Sequence, residues 1–164
     1  MNLPELGRVV HLANGFISVG LGLLVMLWPK FGPRSVVHRW LGRVYAAFIV
    51  AACLIGVPLA YRRGSTYLMI LGVATAGLVV QGWRDIVAYR RAKSVGHGTK
   101  AASHLRRHVI LMGSSYVGAW SGFFATNPIL GSGDWQVYVY VFGPPLLGAV
   151  FISRAVLRLP RAIS

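Results

Sequence analysis

Two histidines four residues apart, His104 and His108, stand at the entrance of a stretch that begins basic and then turns apolar, KAASHLRRHVILMGSSYVGAWSGFFATN over 100–127. Residues four apart share a helix face. Two further ionisable groups, His38 and Asp85, sit near the ends of other apolar runs. Ionisable groups inside a membrane are costly, so each invites a reason. One is b-type haem, whose iron accepts a neutral imidazole nitrogen, and a helix bundle can bring one histidine from each of two helices. The pair for this is His38 and His108, with Arg39, Arg43, Arg106 and Arg107 beside them to hold the propionates. Met112, one turn past His108, is an alternative axial ligand or a packing residue. A second chemistry is zinc. His104 and His108 would present two nitrogens to one ion, and His38 and Asp85 would complete a tetrahedral set able to activate water. Asp85 could instead orient a liganding imidazole from behind. The plain alternative is that the histidines only hydrogen-bond neighbours or meet headgroups, and that Asp85, next to Arg84, closes a salt-bridged helix end.

Other residues narrow the chemistry. His11 stands alone near the start of the first apolar run, and His97 lies between glycines, where solvation is the expected role. Cys53 is the single cysteine, so an intrachain disulfide or a thiolate cluster is excluded and a small buried hydrophobe is expected. Three acidic residues, Glu5, Asp85 and Asp134, are too few for an argument from paired catalytic carboxylates. No glycine-rich phosphate loop appears in a strand–turn–helix context.

The elements that must position these groups follow from composition. Hydrophobic residues make up 55% of the 164, and charged residues 12%, about half the ~25% usual in soluble domains. A spanning helix takes roughly 20 mostly apolar residues. Five such runs appear: Val9 to Trp28, His38 to Tyr61, Thr66 to Tyr89, Leu105 to Thr126 and Gln136 to Leu157. RRAKSVGHGTK is expected to form a basic loop after the third. Gly143-Pro144-Pro145 should kink or unwind the fifth, and Trp135, Tyr138 and Tyr140 should form an interfacial belt at its start. The N-terminus carries Glu5 and no basic n-region, so the first run is expected to stay as a membrane helix.

Five spans put Arg8, Arg62 and Arg63 on one side and the other 14 of the 17 lysines and arginines on the opposite side. The positive-inside rule then places the N-terminus outside and the C-terminus in the cytoplasm. The same rule accounts for the net charge of +14, so nucleic acid is not an expected partner. Small residues on helix faces (Gly15, Ser18 and Gly22; Gly42 and Ala46) permit close helix approach and self-association.

HLANGFISVGLGLL, HRWLGRVYAAF, WRDIVAYRR and RRHVILMGSSYVGAWSGFFATN together resemble the bacterial membrane proteins of the domain of unknown function 2306 family. The matching positions are His11 and Gly15, then His38, Arg39, Gly42 and Arg43, then Asp85, then His108 and Met112; His104 falls on none of them. The family brings no settled activity. Its helix-end histidines look like those of membrane cytochromes of the cytochrome b561 and ferric-reductase kind. This chain departs from the two-haem version of that pattern, having no second histidine to pair with His11.

The expectation is an all-α polytopic membrane helix bundle of five transmembrane helices, one domain over 1–164, in a bacterial cytoplasmic (inner) membrane. Its expected role is a haem b redox protein or redox-partner subunit held through His38 and His108. The alternatives are a zinc-dependent membrane hydrolase and a structural or sensory protein without a cofactor. Expected partners are the lipid bilayer and a membrane redox partner or a second copy of the chain.

Overall fold

A computed structural model describes residues 3–28, 35–126, 134–157 and 159. They form five helices: α1 (Leu3–Leu27), α2 (Ser35–Arg62), α3 (Thr66–Ser94), α4 (Gly98–Thr126) and α5 (Asp134–Leu157). No strand occurs among the described residues. The chain is all-helical, as its long apolar runs require.

Membrane-crossing character is concentrated in the first three helices. Glu5–Leu27, Val36–Arg62 and Thr66–Ser94 are each long and apolar enough to cross a bilayer. The five expected spans thus reduce to three on these criteria. The first third of α4 is basic, and its apolar remainder is diluted by Gly113, Ser114, Ser115, Gly118, Ser121 and Gly122. α5 offers the shorter apolar segment Phe142–Leu157. Large hydrophobic side chains are exposed along all five helices, among them Phe16, Leu54, Ile70, Ile110 and Leu146. Apolar exposure on this scale is a liability in water and the natural outer surface of a protein in lipid, where helices satisfy their own backbone groups. The chain therefore reads as a membrane protein.

The links are shorter than the sequence suggests. α3 runs on to Ser94, because Arg, Ala and Lys are good helix formers. The expected basic loop shrinks to Val95, Gly96 and His97. Gly96 has φ 75°, with its N–H donating to Lys93 O and that of His97 to Ala92 O. These are the two bonds of a Schellman cap, which needs a left-handed residue best supplied by glycine. Gly64, φ 67°, closes α2 in the same way, with Gly64 N–H donating to Tyr61 O and Ser65 N–H to Ala60 O. Ser65 Oγ then accepts from Leu68 N–H at 3.5 Å and caps the start of α3. α5 is helical straight through Pro144 and Pro145, so the expected unwinding does not occur. The side chains of Trp135, Tyr138 and Tyr140 lie outside the described residues.

Contacts divide the chain into two compact units, residues 1–76 and 77–164. In the first, α1 and α2 pair through small residues. Ser18 and Gly22 are buried on α1, and Ala46, Ala52, Cys53 and Ala60 on α2. Ser18 Oγ donates to Asn14 O one turn back, which satisfies a hydroxyl with no water to meet. In the second, α4 and α5 pair just as closely. A Cβ at Gly113 would lie 2.6 Å from Ile152, and one at Gly148 would collide with Val117.

Candidate functional site

The second unit brings together the C-terminal part of α3 and the entrance of α4. Asp85 is buried, with only 3% of its side chain exposed. His104 Nδ1 lies 2.9 Å from Asp85 Oδ1. Arg107 Nε lies 3.4 Å from Asp85 Oδ2, within ion-pair range but without hydrogen-bond alignment. Arg107 follows His104 by three residues, so one face of α4 delivers both groups. A carboxylate among apolar helices needs such partners, since its desolvation is large unless charge and hydrogen bonds offset it. Asp85 is thus matched across to α4.

One turn deeper, His108 Nδ1–H donates to Gly82 O on α3 at 2.8 Å. That bond puts the ring proton on Nδ1 and leaves the lone pair of the neutral imidazole on Nε2. Gly82 is buried, and a Cβ there would lie 2.9 Å from Met112 Sδ. Met112 therefore packs where α3 presents no side chain.

The first unit contains a similar pairing. His11 Nδ1–H on α1 donates to Ala52 O on α2 at 3.0 Å. Its ring occupies the space a side chain at Gly56 would take, with Cε1 2.6 Å from the position of a Cβ. His38 is half-buried near the start of α2, while Arg39 and Arg43 are exposed. His97 is exposed in the α3–α4 link, and Cys53 is buried and outside any disulfide.

The candidate residues thus separate. Asp85, His104, His108, Arg107 and Met112 belong to one unit, and His38, Arg39 and Arg43 to the other. Among the described residues, no group of three or more His, Cys, Asp or Glu side chains is placed to hold a metal ion. Sequence reasoning missed Gly56 and Gly82, whose bare backbones admit the His11 ring and Met112. A glycine inside an apolar span is the only signal they leave. No family model, curated protein or solved structure matches the chain. The resemblance to the domain of unknown function 2306 family accordingly rests on the quoted motifs alone.

Proposed function

We propose that this chain is a membrane-embedded b-type haem protein that takes part in electron transfer, with His108 as the residue that would hold the haem iron. The observation that carries this reading is the Nδ1–H···O=C bond from His108 to Gly82. Histidines that ligate metals nearly always donate their other ring N–H to a carbonyl or carboxylate, which fixes the tautomer and raises the basicity of Nε2. The residues of the second unit fit that role. His108 would bind through Nε2, Gly82 O would hold the ring, and Met112 would be a packing residue. Arg107 is directed at Asp85, and Arg39 and Arg43 enter as the arginines for haem propionates on the sequence alone. His38 enters as the second ligand on the sequence alone. When bound, haem would supply the one-electron chemistry, and the protein would supply binding and electrostatics.

The test is the absorbance spectrum of detergent-purified protein expressed with a haem precursor. A Soret band that shifts on dithionite reduction is expected, and it should be lost in His108→Ala and kept in His104→Ala. A colourless preparation, or a spectrum unchanged in His108→Ala, refutes the proposal.

A further inference from the structure

A groove of about 660 Å³ runs between α4 and α5 of the second unit, within the ~300–1,000 Å³ range of small-ligand sites. It is lined on α4 by Arg106, Ile110 and Val117 and on α5 by Pro145, Ala149 and Ile152. Apart from Arg106 and two serine hydroxyls, Ser114 and Ser153, its walls are apolar. None of its residues is a histidine, cysteine, methionine or acid, so the donors expected of a haem or metal site are lacking, and it is separate from the site proposed above.

Its shape has a direction. The close contacts of Gly113 with Ile152 and of Gly148 with Val117 set α4 and α5 antiparallel. Arg106 lies near the start of α4 and Val156 near the end of α5, so they mark one end of the groove; Val117 and Pro145 mark the other. At 1.5 Å per residue, Arg106 and Val117 are roughly 16 Å apart along α4. Half the hydrocarbon thickness of a bilayer is about 15 Å. The groove is thus about as long as one leaflet is thick, with a guanidinium at one end and apolar walls beyond it. Arg106 makes that end basic. Basic pockets between membrane helices attract acidic lipid headgroups.

We infer that this groove is a binding site for one anionic phospholipid. Arg106 meets the phosphate, and one acyl chain lies along Ile110, Ala149 and Ile152 down to Pro145. Guanidinium–phosphate pairing gives the headgroup preference, and the apolar walls supply chain-length-dependent affinity.

Native mass spectrometry of the full chain released from detergent tests this. Phosphatidylglycerol is added in one arm, phosphatidylcholine with the same acyl chains in a second, and glycerophosphoglycerol, which has no chains, in a third. Wild type should retain one phosphatidylglycerol about fivefold more strongly than phosphatidylcholine, the equivalent of ~1 kcal/mol for one basic residue at a membrane surface, and should not retain the chainless headgroup. Arg106→Gln should abolish the preference, and Arg106→Lys should largely keep it. Ala149→Trp, which fills the groove, should lose both lipids. Circular dichroism checks that each variant is helical, and if Ala149→Trp fails to fold, the arginine pair decides. Equal retention of the two lipids by wild type overturns the inference, as does an undiminished preference in Arg106→Gln. A lipid-free dimer that Ala149→Trp dissociates would also overturn it, because a second copy would then fill the groove.

Discussion

Gly56→Ala places a methyl group 2.6 Å from His11 Cε1 and 3.1 Å from Nδ1. The ring is not a loose end. Its Nδ1–H is committed to Ala52 O on the same helix as Gly56, so making room means swinging it off that carbonyl. Overpacking of this kind costs about 1–3 kcal/mol, and the lost hydrogen bond about 1 kcal/mol. Alanine gains back up to ~1 kcal/mol over glycine in a helix interior. The expected net destabilisation is about 1–3 kcal/mol. Gly20→Ala is the control, since nothing lies within 4 Å of a Cβ there, and it should be neutral or slightly stabilising. The assay is unfolding by SDS titration in mixed micelles, followed by tryptophan fluorescence, for Gly56→Ala, His11→Ala and the double variant. With the ring removed, Gly56→Ala should behave like Gly20→Ala, giving a coupling of ~2 kcal/mol, well above the ~0.3–0.5 kcal/mol scatter of independent sites. Equal penalties in the presence and absence of the ring would refute the contact.

Three further outcomes follow from the same geometry. Asp85→Leu should remove the hydrogen-bond partner of His104 and the counter-ion of Arg107 and lower stability, whereas Arg107→Gln should change it by no more than ~1 kcal/mol because Arg107 is largely exposed; the same titration measures both. Gly96→Ala, at φ 75°, should cost about 1–2 kcal/mol for a left-handed residue bearing a Cβ, read as a lower unfolding midpoint. In a Cys53→Ala background, an impermeant maleimide should label Ser65→Cys on intact cells and Val95→Cys only after permeabilisation; the reverse pattern overturns the orientation assigned from charge.

What could be read from the residues was set by how local the physics is. The helices α1, α2 and α3 announce themselves because hydropathy accumulates along the chain. α4 and α5 do so less clearly, because glycine, serine and proline dilute them. The helical turn in RRAKS was hidden by its polarity, since basic residues look like a loop while favouring a helix. His104, His108 and Asp85 stood out as ionisable groups beside apolar runs. That Asp85 meets His104 rather than Arg84 depends on how α3 and α4 face each other, which no spacing encodes. Ala52 O and Gly82 O were not legible at all, because every residue offers a carbonyl and only the fold selects which one a histidine reaches.

The two glycine-closed turns bear on how the chain enters a bilayer. They lie at opposite ends of α3, so whichever way it points, one of them must be carried across. The turn between α2 and α3 bears Arg62 and Arg63, whereas the other end is flanked by Arg90, Arg91, Lys93 and Lys100. The lighter turn is the cheaper one to translocate, and its three-residue link leaves no room for a pause between helices. α2 and α3 should therefore insert as a single hairpin, with two guanidinium groups as its only cationic cargo.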